Sequence, residues 1–158
     1  MTFRDFLLKN APRTEQEKRR RQLREEWIGA VDRLLAQLRA WLTDAEAAAL
    51  LDLEPLEFEK REQGLGAYHI RGLAINFGES TVKVVPVGRI VLAHLGSYAE
   101  PGHEKAEGRV DITNGANKYY LFRKLTETGE QWLVQDERSD IQPLDRERFE
   151  TILQDLLS

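Results

Sequence analysis

The residue types that most often bind metals or act as nucleophiles are sparse in this chain. It has three histidines, at positions 69, 94 and 103, and no cysteine. A structural zinc site takes four ligands at characteristic spacings, and these histidines show no His-Glu-x-x-His or similar pattern. The absence of cysteine also excludes disulfides, thiol catalysis and cysteine-bound clusters. The sequence therefore predicts neither a metal site nor a cofactor.

Patterns typical of other catalytic sites are equally weak. No serine lies in a Gly-x-Ser-x-Gly elbow. Gly64-Leu-Gly66 lacks the third glycine of a dinucleotide-binding loop. Glu57 and Glu59 would share one strand face near Asp52, which suits a cation, but their spacing does not match that of metal-dependent nucleases. We therefore expect a protein without catalytic activity.

One basic run lies near the N-terminus. The whole chain carries a net charge of −4, which is unlike a strongly basic nucleic-acid-binding domain. Basic side chains on successive helical turns nevertheless neutralise phosphates well, although neighbouring glutamates here are spaced for ion pairs within one helix. Binding of nucleic acid is therefore the alternative function, and it is assigned to the basic run: Lys18, Arg19, Arg20, Arg21 and Arg24.

An apolar stripe follows this run at steps of four, three, four and three residues. This spacing places its members on one face of a helix. Two alternatives stay open for the stripe: it packs on the sheet of its own chain, or it forms a docking seam for a second copy or another protein. The candidate partner-binding residues are Trp27, Val31, Leu34, Leu38 and Trp41.

The elements around the stripe divide the chain into two regions. Residues 1–53 are predicted to be helical. Thr14 and Glu17 form a capping box for a helix of about 28 residues, and Pro12 is expected to interrupt any earlier turn. The second region, residues 54–158, is predicted to be an antiparallel sheet with a C-terminal helix. Its residues 54 to about 136 alternate between apolar and polar side chains with Gly and Asn turns, which indicates antiparallel strands. Asp145 is expected to cap a final helix.

Two boundaries in the second region depend on proline and on composition. Glu54, which precedes Pro55, is expected to end the helical region. Residues 89–95 are rich in Ile, Val and Leu and predict a strand, whereas residues 96–108 predict a mobile loop.

These patterns predict an α+β fold: a long N-terminal helix as an arm or hairpin, an antiparallel meander of about six or seven strands, and a C-terminal helix packed on the sheet. The expected function is that of a non-catalytic protein-interaction module or small accessory subunit, which pairs with itself or another protein through the long helix. No apolar run reaches the roughly 20 residues that span a bilayer, and no targeting segment is visible. We therefore expect a cytoplasmic protein with no membrane partner.

Overall fold

A computed structural model describes residues 1–44, 46, 48–90, 94–95, 104–136 and 141–158. Its helices are α1 (Phe3–Thr43) and α2 (Arg146–Leu157), and Ala48–Leu50 forms one 3-10 turn. Its strands are β1 (Asp52–Glu62), β2 (Gly66–Phe77), β3 (Ser80–Gly88), β4 (His94–Leu95), β5 (Glu104–Lys105), β6 (Arg109–Thr113), β7 (Lys118–Thr126), β8 (Gly129–Gln135) and β9 (Gln142–Pro143).

The large sheet is an antiparallel meander of seven strands in the order β1-β2-β3-β6-β7-β8-β9. Each strand of this sheet pairs with the next one along the chain. The connection from β3 to β6 contains β4 and β5, which pair with each other in a separate two-stranded sheet. Among the strands of the sheet, α1 packs mainly against β2, and α2 packs mainly against β3. The predicted α+β arrangement of long helix, antiparallel sheet and C-terminal helix is therefore confirmed.

The start of α1 differs from the prediction. A capping box forms at Thr2, whose side chain accepts from the Asp5 backbone N–H at 3.1 Å while the Asp5 carboxylate accepts from the Thr2 N–H. The helix continues through position 12, so the expected interruption at Pro12 is wrong. Thr14 is an interior residue, and its hydroxyl donates to the Asn10 carbonyl at 3.0 Å. The helix has 41 residues, a length of about 60 Å.

The C-terminal half of α1 supplies one wall of the main core. Trp27 lies 6.2 Å from the Trp132 ring of β8, and Trp41 lies 5.9 Å from the Phe149 ring of α2. The regions 1–53 and 54–158 thus share one apolar core. Its fully buried members from the sheet include Leu73, Ile75, Val82, Val84, Val110, Ile112 and Leu121.

The last helix begins where its sequence predicts. The Asp145 side chain accepts from the Arg148 backbone N–H at 2.7 Å, which confirms Asp145 as the N-cap of α2. The helix then buries Phe149, Ile152, Leu153 and Leu156 in the main core.

The helical elements end with the 3-10 turn Ala48–Leu50, ahead of Glu54, and β1 begins at Asp52, two residues before the predicted boundary, so that Pro55 lies inside β1 opposite Leu73. Among the described strands β1 pairs only with β2 and forms one edge of the sheet, and an edge strand tolerates a residue that cannot donate a backbone hydrogen bond. Much of the strand predicted at 89–95 and of the loop predicted at 96–108 lies outside the described residues. Within the described part, Arg89 and Ile90 form a bend, and β5 lies in the predicted loop.

Candidate interaction site on the N-terminal helix

The first half of α1 extends away from the core as an exposed arm, residues 3–22. Every described side chain from Met1 to Gln22 is exposed except that of Asn10, which is half-buried. Twenty helical residues span about 30 Å, so the arm extends well beyond the sheet. Large apolar side chains cluster in its first two turns, the tip: Phe3, Phe6, Leu7 and Leu8 are 76%, 50%, 50% and 63% exposed.

The exposed tip is not a continuation of the buried stripe. At 100° per residue, the face of α1 that carries Trp27 and Leu38 passes through polar Arg20 and Gln16 in the arm. Three of the four tip side chains, Phe3, Phe6 and Leu7, centre on a direction about 100° away from that face. The helix therefore presents two separate apolar surfaces, one to its own sheet and one to solvent.

The structure places the predicted docking stripe in the core of its own chain. Trp27, Val31 and Leu38 are fully buried, and Leu34 is 3% exposed. Trp41 is half-buried against α2. Of the two alternatives for the stripe, packing on its own sheet is the one seen in the folded chain, and the stripe is covered before any partner arrives.

A group of ion pairs around one buried arginine fixes α1 where the arm leaves the core. Arg123 of β7 is only 2% exposed. Its guanidinium donates at 2.7 Å to Glu26 of α1 and at 2.7 Å to Glu130 of β8. Arg89 also contacts Glu26 at 3.3 Å, and Arg33 contacts Glu130 at 2.9 Å. Each carboxylate is therefore held between two arginines.

The pKa values of these two carboxylates follow from that arrangement. Partial burial acts to raise the pKa of Glu26, but the hydrogen bonds and charges of Arg123 and Arg89 outweigh it, and the pKa lies below its usual value. For Glu130, burial is likewise outweighed by Arg33 and Arg123, and the pKa is lowered. Both groups are therefore charged at neutral pH, which fixes α1 to β7 and β8.

The predicted phosphate-binding run is divided between the arm and the following turn of α1, which Glu26 fixes to the sheet. Arg24 donates to the Leu65 carbonyl at 2.9 Å, which ties it to the β1–β2 turn. Arg20 pairs with Glu17 at 3.3 Å, and Arg21 pairs with Glu25 at 3.1 Å, both as exposed pairs within the helix. Lys18 and Arg19 are exposed on the arm. The run is thus partly neutralised by its own glutamates.

A shallow groove lies beside the base of the arm, and we call it the Ile28 groove. It encloses about 350 Å³ and is open to solvent. Its lining residues come from α1, β1 and β2: Ile28, Asp32, Glu57, His69, Ile70 and Arg71. Ile28 lies on the same side of α1 as the tip residues Phe3 and Phe6, because 22 residues separate Phe6 from Ile28 and make about six turns.

The described residues hold no cluster of three or more His, Cys, Asp or Glu side chains placed to bind a metal. His69 lies 3.8 Å from Glu59 with both side chains exposed. None of the helices in the described ranges combines the length and the apolar character needed to cross a membrane. No protein-family model matches the chain, and neither a curated protein nor a solved structure matches it.

Sequence reasoning did not identify the tip as part of a site, nor the ion pairs that Arg123 makes with Glu26 and Glu130. The tip had a signal, since Phe3, Phe6 and Leu7 lie within two turns behind a Thr-x-x-Asp cap at Thr2. The ion pairs had no signal in the sequence, because Glu26 and Arg123 are 97 residues apart in the chain.

Proposed function

We propose that this protein is a non-catalytic interaction module, or small accessory subunit, that pairs with a protein partner through the arm of α1. The observation that supports this most is the cluster of exposed apolar side chains at the tip, Phe3 to Leu8, on a helix that leaves its own core. Helices draw most of their stability from packing of one face. The described side chains of the arm have no such packing against the described part of the chain, and a partner would supply it.

The charge distribution supports a partner with an acidic surface. Residues 1–22 carry seven Lys and Arg against three Asp and Glu, a net charge of +4. The remaining residues carry sixteen against twenty-four, a net charge of −8. Opposite potentials steer association and orient the partners, so a basic arm favours an acidic body, such as the one this chain itself possesses.

Binding of nucleic acid is the second candidate, supported by the exposure of Lys18 and Arg19 on the arm. It is favoured less, because Arg20 and Arg21 pair with glutamates and Arg24 is bound to the body. A mobility shift with DNA or RNA at low salt that weakens steeply as salt rises would support it. We also propose a cytoplasmic location, which cell fractionation would test.

Photo-crosslinking in cells tests the main proposal. Benzoylphenylalanine in place of Phe6 samples the tip, and the same residue in place of Phe77 samples an exposed phenylalanine on the β2–β3 turn. We expect a discrete protein adduct from position 6 and none from position 77. Absence of any adduct from position 6, or the same adducts from both positions, would refute docking through the arm.

A further inference from the structure

We propose that the partner of the arm is a second copy of this chain, with the two α1 helices antiparallel and each tip seated at the Ile28 groove of the other copy. This inference rests on the function proposed above and names its partner. It requires that the tip, the middle of the arm and the groove share one seam of α1. It also requires that the charges along the seam favour the antiparallel direction.

Such a seam runs along the exposed face of α1 at alternating steps of four and three residues. It is apolar at both ends, with Phe3 and Leu7 in the tip and Ile28 beside the groove. Its middle is polar: Asn10, Thr14, Glu17, Arg21 and Arg24. An antiparallel pair brings the apolar tip of one copy onto the apolar end of the other, and the polar middles cross at the two-fold axis.

The register follows from placing Leu7 opposite Ile28. Phe3 then lies opposite Asp32, and Thr14 lies opposite Arg21 of the other copy. Each contact occurs twice, because a two-fold interface is self-complementary.

A parallel pair is disfavoured by charge. Its seam would set Arg21 against Arg21 and Arg24 against Arg24, and like charges facing each other destabilise a helix pair. The antiparallel register avoids both contacts, so the sequence of charges selects the direction.

Gly29 provides an independent observation. Glycine inside a helix is unfavourable relative to alanine, yet the fold of this chain does not demand it. A Cβ at position 29 would meet only the Arg33 guanidinium, at 3.4 Å, which is an ordinary van der Waals contact. Gly29 is half-buried next to Ile28, at the edge of the seam, where a missing side chain admits the closer approach of a second helix.

The groove suits the arm in charge and in extent. Asp32 and Glu57 place two carboxylates in its lining against one arginine, Arg71, and the incoming arm has a net charge of +4. The shared seam covers residues 3–32 of each copy.

Disulfide trapping tests the register directly, because the chain has no cysteine of its own. Leu7→Cys with Ile28→Cys places two thiols about 30 Å apart on one helix, too far for a bond within one chain. Leu8→Cys with Ile28→Cys is the matched control, since Leu8 is turned about 100° away. We expect the first pair to form covalent dimers at least tenfold faster than the control, and equal rates would overturn the register.

Light scattering tests the assembly itself. We expect a mass of about twice 18.2 kDa for the wild-type chain at tens of micromolar. Gly29→Leu should weaken the dimer at least tenfold while the circular dichroism of the monomer is unchanged. A wild-type mass of 18.2 kDa at every concentration would overturn the inference. If position 6 then crosslinks to a different protein, the proposed function stands without self-pairing. If the monomer instead sediments with anionic phospholipid vesicles, the arm binds a lipid surface.

Discussion

Replacing Arg123 by methionine tests whether the buried charges fix α1 to the sheet. Methionine keeps much of the apolar stem of arginine but removes the donors that contact Glu26 and Glu130 at 2.7 Å. The guanidinium is 2% exposed, so solvent cannot replace it without local opening. The two carboxylates then keep one arginine each, Arg89 and Arg33.

The magnitude is set by how far each carboxylate is buried. Loss of one partner from a fully buried ion pair costs about 3–5 kcal/mol. Glu26 is 38% exposed and Glu130 is 16% exposed, so water and the remaining arginines offset part of this loss. We expect the free energy of unfolding to fall by about 2–3 kcal/mol, which corresponds to roughly 5–10 °C in Tm for a chain of this size.

Urea denaturation at pH 7 measures the effect, and Arg33→Met is the matched control. Arg33 is 61% exposed, and loss of an exposed ion pair costs about 1 kcal/mol or less. The pKa values of Glu26 and Glu130 are lowered in the folded state. Their contribution is therefore present above the unfolded-state pKa and is lost as the pH falls through the folded-state values. The difference between wild type and Arg123→Met should narrow below about pH 4.

Two results would refute this reasoning. One is a loss at pH 7 of no more than about 0.5 kcal/mol, the scatter of ordinary surface substitutions. The other is a difference between wild type and Arg123→Met that grows on acidification. Either would mean that packing around the stem of Arg123, rather than its charge, fixes α1.

Three further predictions concern the core and its hydrogen bonds. Leu38→Ala should lower the free energy of unfolding by about 2–5 kcal/mol, because the side chain is fully buried; a change under 0.5 kcal/mol in urea denaturation would contradict its place in the core. Gly108→Ala should lower Tm by roughly 5–10 °C or more, since Gly108 has a φ of +146° and a Cβ there would lie 2.2 Å from the Trp27 ring; an unchanged melt would show that this ring moves freely. Burial and the hydrogen bond to Asp155 raise the pKa of Tyr119 to about 12. The hydrogen bond of the neutral Tyr119 hydroxyl therefore contributes fully to stability below about pH 10, and this contribution is lost as the pH rises through about 12. Tyr119→Phe should abolish this alkaline loss, and identical profiles of stability against pH for wild type and variant would contradict it.

Hydrophobic periodicity was sufficient to predict most of the fold. The stripe from Trp27 to Trp41 and the alternating strands report the faces that are buried, so they predicted the long helix and the meander. The cap at Asp145 predicted the start of α2. These signals are local, and each depends on residues that are neighbours in the sequence.

The parts that the sequence did not reveal depend on distant contacts or on solvent. Arg123 and Glu26 meet only after the chain folds, so no spacing pointed to their pairing. Pro12 was expected to break the helix, yet the arm is exposed, so water can hydrogen-bond the carbonyl that loses its backbone donor. Side-chain bonds from Asn10 and Thr14 to carbonyls one turn earlier accompany this continuation. The stripe was predicted as either core or interface, and periodicity alone does not separate the two.

Hydrogen–deuterium exchange along α1, measured from dilute to concentrated protein, tests most directly whether the helix has a buried half and a docking half. In dilute solution, the amides of residues 3–22 should exchange at least tenfold faster than those of residues 27–42, because nearly every described side chain of the arm is exposed. At high concentration, or with the crosslinked partner added, the arm should become protected while residues 27–42 are unchanged. Two results would contradict this account. In the first, the arm is as protected as the core at the lowest concentration. In the second, the arm stays unprotected with the second copy or the partner present.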